Sequence, residues 1–371
     1  MNEKFTFQIE GSLYSGKNPL VIAELGTSHG ADIVKAREMT AAAAEAGADC
    51  VKFQMVFAGE ILHPNTGEVA LPGGRIRLYD RFKALEAPVE FYAEIKEYAE
   101  ARGLLFLCTP FGMKSASLLR GLRPKAVKIA SPELNYTALL EEIAAWGPPN
   151  TVLLSSGVSR LSDIEEAVSI LKPKASLCLL HCVTSYPAPE TDYNLRVLPN
   201  LSAVFGVPAG VSDHSADPCL VPALAVSMGA AAVEKHFCLS RADPGLDDPI
   251  ALPPDEFSKM TAAIRRAAAA PEETAALYSL ERGASIVEQV LGSGVKELAP
   301  SEKANYRLTN RSIHALRDIQ TGETLKKGDY AVLRTEKNLR PGLEPRWETA
   351  IEGRTARNFI PAGEGIRFED I

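Results

Sequence analysis

Two short runs carry the residues best able to do chemistry, Gly210-Val211-Ser212-Asp213-His214-Ser215 and Glu234-Lys235-His236-Phe237, and their histidines stand 22 positions apart. A strand–helix–strand unit needs about that length, since its crossover takes at least ~10–12 residues. Two imidazoles at the same end of neighbouring parallel strands can share one metal ion. Taken singly, each histidine reads first as a satisfied core residue, and the pairing is what argues for ligands. With no cysteine beside them, two histidines leave positions open for water and substrate oxygen. Imidazole with oxygen suits a borderline-hard divalent ion such as Mn2+, placed to polarise a carbonyl as a Lewis acid.

A second group is the pair Lys52 and Lys128, each inside an otherwise apolar run. A charge in such a run is expensive to bury unless paired. A structural ion pair with Glu24 or Glu133 is the plain alternative. The chemical reading is two ammonium groups holding a small dianion, with the hydroxyls of Thr109, Ser131 and Ser155 as neutral donors; lysine serves phosphate or carboxylate as a point charge. One lysine could instead form a Schiff base, as in a class of barrel aldolases.

The elements that must position these groups follow from the hydrophobic pattern. Short apolar runs occur near 20–25, 50–54, 104–109, 126–131, 151–156, 177–184, 209–214 and 232–237. Ala-rich amphipathic segments lie between or after them at 31–47, 89–101, 113–121, 137–146, 160–172, 218–228 and 255–269, while 185–208 is less clearly helical. Strands alternating with helices imply parallel pairing. Eight units over roughly 250 residues are the count and length of a closed (β/α)8 TIM barrel. An open doubly wound sheet is the alternative, but no Gly-x-Gly-x-x-Gly follows the first run. Active sites of barrels collect at the C-terminal strand ends. Those ends supply Glu24, then Lys52 and Gln54 on one face of a strand, then Thr109, Lys128 with Ser131, and Ser155-Ser156-Gly157. The later strands add His181 and Thr184, Ser212 to His214, and Glu234 with His236.

Around this barrel, residues 1–19 suit a small hairpin, giving a catalytic domain over 1–285. Residues 55–88 read as a long loop carrying Pro64, Gly67, Pro72, Gly73 and Gly74, the kind that forms lids or binding loops. A helical and coil linker covers 286–310. From Arg311 to 371 a small β-rich module has glycines spaced as turns; some 60 residues are marginal alone, so it must pack on the barrel or on a second protomer.

Composition excludes several classes. The 371 residues are 46% hydrophobic and 23% charged with a net charge of −7, globular values without a basic cluster for nucleic acid. No run approaches the ~18 apolar residues of a membrane span, and Met1-Asn2-Glu3-Lys4-Phe5 does not read as a signal peptide. The six cysteines form no Cys-x-x-Cys pair and read as buried reduced thiols in a cytoplasmic protein.

The motifs, taken in order, resemble the bacterial sialic acid synthase family. They are Glu24-Leu25-Gly26-Thr27-Ser28-His29-Gly30, Val51-Lys52-Phe53-Gln54, Cys108-Thr109-Pro110-Phe111 and Val127-Lys128-Ile129-Ala130-Ser131-Pro132-Glu133. Leu154-Ser155-Ser156-Gly157, His181-Cys182-Val183-Thr184-Ser185-Tyr186-Pro187, Ser212-Asp213-His214, Glu234-Lys235-His236-Phe237 and Asp243-Pro244-Gly245-Leu246-Asp247 complete the set. Residues 311–371 resemble the antifreeze-like (SAF) domain that follows the barrel in these enzymes, so the likeness covers nearly the whole chain.

The resemblance implies a transferase that condenses phosphoenolpyruvate with an N-acylated mannosamine-type sugar, giving a nine-carbon 2-keto sugar acid and phosphate for surface polysaccharide. It implies Mn2+ or Mg2+ on His214 and His236, and Lys52, Lys128, Thr109, Ser131 and Ser155 around phosphoenolpyruvate. Glu24 would steady the cationic intermediate or handle the water's protons, and Gln54, Tyr186 and Asp247 would face the sugar. Glu133, Thr184 and Ser212 belong with the substrate-binding group. It implies a domain-swapped homodimer in which a partner's C-terminal domain lends the arginine of an Arg-Pro-Gly stretch. Arg340-Pro341-Gly342 matches that stretch, with Arg334 on the longer preceding segment as the alternative. Departures fall on the sugar side: Ser28 and Gly74 stand where asparagine is usual, Thr184 replaces asparagine, and Asp248-Pro249 follows Asp247. A 6-deoxy diacetamido sugar is therefore as plausible an acceptor as N-acetylmannosamine. The competing readings are a Schiff-base barrel aldolase or lyase, and a non-catalytic carbohydrate-binding protein.

Overall fold

Eight parallel strands carry the molecule: β1 (Leu20–Gly26), β2 (Cys50–Met55), β3 (Leu105–Pro110), β4 (Ala126–Ile129), β5 (Thr151–Ser155), β6 (Ser176–Cys182), β7 (Ala209–Asp213) and β8 (Ala232–His236). The computed structural model describes residues 5–71, 74–147 and 150–371; Met1 to Lys4 and the Pro72 and Gly73 of the long loop lie outside the described residues. The ladders run β3-β2-β1-β8-β7-β6-β5-β4, all parallel. The end strands β3 and β4 lie against each other, which brings the sheet round into a near-closed (β/α)8 barrel. Helices Ile33–Glu45, Val89–Glu100, Met113–Gly121, Thr137–Ala144, Leu161–Leu171, Val197–Phe205, Leu220–Ser227 and Pro254–Ala269 follow the strands in turn. The sixth is the segment whose helical pattern is weak in the sequence.

The two-residue period of a strand sorts every barrel residue to one of two faces. One parity, including Leu20, Ile22, Cys50, Leu107, Leu153 and Leu180, forms the barrel floor, where Phe7, Ile9 and Tyr14 of the hairpin Phe7–Ile9/Ser12–Tyr14 join it. The other parity, including Val21, Val51, Phe53, Val127 and Val233, packs in the cluster shared with the helices. Each fully buried Leu or Ile of the floor contributes about 1.5–3 kcal/mol relative to exposure. The inward row then turns polar toward the C-terminal strand ends, where Glu24, Lys52, Lys128, Ser155, Ser212, Glu234 and His236 stand.

Residues 55–88 are not a loop. They form helices Ala58–Ile61 and Leu78–Ala84 with a hairpin, Glu68–Leu71 and Gly74–Arg77, between them. Val56, Ile61, Leu62 and Leu78 make a small hydrophobic cluster of their own with Phe111. After the eighth helix, Pro271–Arg282 and Ala284–Leu291 add two more, and an extended segment returns to the barrel. There the buried Glu302 accepts the backbone N–H groups of Val158 and Thr184, both at 2.9 Å, and that of Ala299 at 3.2 Å.

The C-terminal module pairs β9 (Arg311–Ala315) with β10 (Tyr330–Arg334) antiparallel and adds isolated bridges such as His314 to Gly365 and Ile319 to Ile360. Ile313, Ile319, Val332, Ile351, Ile360 and Ile366 fill it. It docks on the mouth of the barrel in the same chain. Arg311 of β9 is 1% exposed and reaches the barrel loops, donating to the carbonyls of Glu60 and Phe111, both at 2.5 Å, and to Glu133 at 2.9 Å. Among the described residues no helix is long and apolar enough to cross a membrane.

Candidate active site

A cavity of about 300 Å³ opens at the C-terminal ends of the strands. Glu24, Lys52, Gln54, Lys128, Ser131, Ser155, Thr184, Tyr186, Ser212, His214, His236 and Asp247 all line it, joined by Glu234, Cys182, Arg334 and Glu336. The inward parity of four strands, β1, β2, β4 and β8, brings together charges that lie as much as 210 positions apart in sequence, Glu24 and Glu234 being the extremes. Gly157 lets the β5 end close in: its N–H donates to Ser131 Oγ at 2.9 Å, and a Cβ there would run into Thr184 and Ser131.

The electrostatic centre is Glu234. Its Oε1 lies 3.0 Å from Lys52 Nζ and 3.4 Å from Lys128 Nζ, and it accepts from Ser212 Oγ at 2.8 Å. Burial works against the Glu234 charge, but the ammoniums of Lys128 and Lys52 outweigh it and hold the carboxyl well below the usual range. Lys52 also meets Glu24 at 3.3 Å; burial opposes its charge, and the carboxylates of Glu234 and Glu24 win, raising its pKa. For Lys128 burial wins instead, aided by the neighbouring Lys52, and its pKa falls to about 8. Its Nζ donates to Ser155 Oγ at 2.6 Å. Burial pushes the Glu24 carboxyl up to about 7 against the pull of Lys52. Its Oε1 accepts from Gln54 Nε2 at 2.6 Å, while Oε2 has no hydrogen-bond donor. Burial thus places Glu24 where it can exchange a proton near neutral pH, beside the ammoniums of Lys52 and Lys128.

Beside this network His214 and His236 face each other with ring centroids 5.5 Å apart, and Tyr186 stacks on His214 at 4.2 Å. His214 Nδ1 lies 2.9 Å from the Val183 carbonyl, which can only accept, so Nδ1 carries the proton and Nε2 keeps its lone pair. Burial lowers the His236 pKa to about 4, leaving a neutral ring. Burial opposes a charge on His214, but Cys182 and the Val183 carbonyl beside it outweigh burial and raise its pKa; deprotonated, the two rings are a donor pair a divalent ion can take, one of them oriented by a backbone carbonyl. Among the described residues no group of three or more His, Cys, Asp or Glu converges on one point. Two imidazoles suit a divalent ion that takes its remaining ligands from water or substrate oxygen. The residues between, Asp213 and Lys235, point to the other face and bond to each other at 2.5 Å, tying the two histidine strands together.

Several expected site residues lie elsewhere. Thr109 does not line the cavity; its hydroxyl is buried without a partner. Glu133 faces the C-terminal domain, where one carboxyl oxygen takes Arg311 at 2.8 Å and Arg334 at 2.6 Å. Arg340 is occupied by Asp370 at 2.7 Å and the Gly365 carbonyl at 2.8 Å, outside the cavity; the alternative, Arg334, is the arginine that lines it. His181 has the outward parity of β6 and bonds to the Tyr193 carbonyl at 2.7 Å. Glu234, seen in the sequence only as the residue two before His236, is the group that joins both lysines. Its spacing from His236 put it on the inward face, which was the signal available.

The NeuB family model matches residues 39–276 and the SAF domain model matches 310–371. The chain is 34% identical to the spore coat polysaccharide biosynthesis protein SpsE of Bacillus subtilis, over 98% of this chain and 97% of that protein. The crystal structure of that protein superposes with a TM-score of 0.81 and covers 99% of both chains. The N,N'-diacetyllegionaminic acid synthase of Legionella pneumophila is 34% identical over 95% of this chain and 94% of its own length. Motif order, barrel, C-terminal module and matches across both parts agree: this chain belongs to the NeuB family of sialic acid synthases.

Proposed function

We propose that the chain condenses phosphoenolpyruvate with an N-acylated mannosamine-type sugar to a nine-carbon 2-keto sugar acid and phosphate. The observation that carries this reading is the Lys52–Glu234–Lys128 cluster set beside the His214/His236 pair in one cavity. Lys52 and Lys128, with the hydroxyls of Ser131, Ser155 and Ser212, hold the phosphate and carboxylate of phosphoenolpyruvate. Carbon 3 of that enol bonds to the sugar's aldehyde carbon, whose oxygen becomes a hydroxyl. Water adds at carbon 2, and phosphate leaves with its bridging oxygen as that C–O bond breaks. Glu24 steadies the positive charge that develops at carbon 2 and takes the water's proton. Gln54, Tyr186 and Asp247 orient the sugar. His214 and His236 would hold Mn2+ or Mg2+, which when bound polarises the aldehyde. Names of relatives support the reaction class: legionaminic and pseudaminic acid synthases and an N-acetylneuraminate-9-phosphate synthase.

The reading includes a homodimer of cytoplasmic enzymes serving surface polysaccharide synthesis; light scattering on the purified chain tests the dimer. The reaction is tested by phosphate release that requires both phosphoenolpyruvate and an amino sugar. EDTA is expected to abolish it and Mn2+ to restore it; release that survives the double change His214→Ala and His236→Ala would overturn the metal role. One observation favours a second reading. Lys128, with its pKa near 8, is an amine able to form a Schiff base, and borohydride trapping with a keto acid would reveal it.

A further inference from the structure

The two histidines are held from behind by a buried ion pair. In the β7–β8 ladder the register sets Val211 beside Val233, Ser212 beside Glu234 and Asp213 beside Lys235. Strand alternation sends the Ser212/Glu234 rung into the cavity and the other two away from it. Val211 and Val233 fill their rung with hydrocarbon in the core shared with the helices. The next rung on that face, one position before His214 and His236, is charged instead: Asp213 is 1% and Lys235 2% exposed. Two apolar side chains there would often be as stable, because a buried ion pair seldom repays its own desolvation. What such a pair supplies in exchange is a fixed register and direction.

The contacts show which backbone is being fixed. Lys235 Nζ has four acceptors: Asp213 Oδ2 at 2.5 Å, the carbonyls of Ser215 at 2.8 Å and Asp217 at 2.9 Å, and Ser215 Oγ at 3.1 Å. They bracket His214 on both sides in sequence. Asp213 Oδ1 closes the turn around it by accepting the Ser215 N–H at 2.8 Å. The His214 N–H donates to the Tyr193 hydroxyl at 2.6 Å, and the His214 carbonyl accepts the Ala188 N–H at 2.9 Å. Lys235 precedes His236 by one peptide bond, so a single ammonium ties the backbone of one imidazole to that of the other. Neither Asp213 nor Lys235 is among the residues lining the cavity, so neither touches a substrate held there.

Given the metal reading of the two rings, we propose that Asp213 and Lys235 are positioning residues that set the spacing of His214 and His236, and through it the chain's affinity for a divalent ion. The test measures Mn2+ binding to the full chain from the electron paramagnetic resonance signal of free Mn2+, with circular dichroism on the same samples to report the fold. Asp213→Leu combined with Lys235→Met removes both charges and leaves neither unpaired. Losing an outer-shell partner costs a metal site about 10–100-fold in affinity. The Mn2+ Kd of the folded double variant should therefore rise at least about tenfold. A pair that merely staples the barrel would lower the Tm and leave the Kd, read well below the melt, within about twofold of the unaltered chain; that result overturns the proposal. If the double variant does not fold, Asp213→Asn, which keeps the side chain's shape, decides in its place. A Kd raised beyond about twofold then supports the proposal, and an unchanged one overturns it. Binding by the unaltered chain no tighter than by His214→Ala with His236→Ala removes the metal reading and the proposal together. Tight binding that is indifferent to Asp213 and Lys235 removes the positioning role alone.

Discussion

Glu234 places one buried carboxylate oxygen within reach of two ammoniums and a hydroxyl. Glu234→Gln would leave Lys52 and Lys128 facing each other with only Glu24 nearby. Breaking a buried pair in this way costs about 3–5 kcal/mol. The denaturation midpoint should fall accordingly, and phosphate release should drop far more than binding of the sugar. Lys128 makes a second prediction. Its ammonium persists below its pKa of about 8 and is lost above it, so the KM for phosphoenolpyruvate should rise as pH climbs past 8. Lys128→Arg, which stays charged throughout, should remove that limb of the pH profile; an unchanged limb would show that another group titrates. Lys52, Lys128, Glu24 and the histidines were legible because strand parity assigns them one face. The partner of each charge was not, since Glu234 meets strands two and four across the barrel and no local pattern encodes that distance.

At the level of elements, the β9–β10 ladder sets Arg311 opposite Arg334, and both guanidiniums end on Glu133. The Arg-Pro-Gly stretch pointed to Arg340, yet the turn it makes sends that side chain to Asp370. Single substitutions separate the two. Arg334→Ala should lower kcat/KM at least about tenfold, the value of losing one charged contact worth 1.5–3 kcal/mol. Arg340→Ala should cost a similar amount of folding stability and leave kcat/KM within about twofold, since its bonds lie inside the module. The opposite pattern would return the assignment to Arg340. A short motif names residue types, whereas which arginine reaches the cavity depends on how a whole module docks. The connection after β2 failed for a related reason. Its glycines and prolines mark turns, but the helices and hairpin between them are stabilised by Phe111 from the next strand.

For the whole molecule, eight alternations of apolar run and amphipathic segment were enough to give the barrel. The seating of the C-terminal module on its own barrel was not visible, because it rests on contacts such as Arg311 with the Glu60 and Phe111 carbonyls. Glu302 is the least conspicuous part of that seating. Glu302→Ala would strand the N–H groups of Val158 and Thr184, each buried donor costing about 1–3 kcal/mol. Calorimetry should register a lower Tm with the barrel's circular dichroism retained. The same carboxylate bears on how such chains are recombined. Two sequence matches, ending at 276 and beginning at 310, suggest a seam where halves of different relatives could be joined. Glu302 lies inside that seam and finishes the loops after β5 and β6, so a chimera cut there would inherit a barrel missing one of its own rivets. Crossovers placed before Pro271, with residues 271–371 travelling together, should fold more often than those placed at 300.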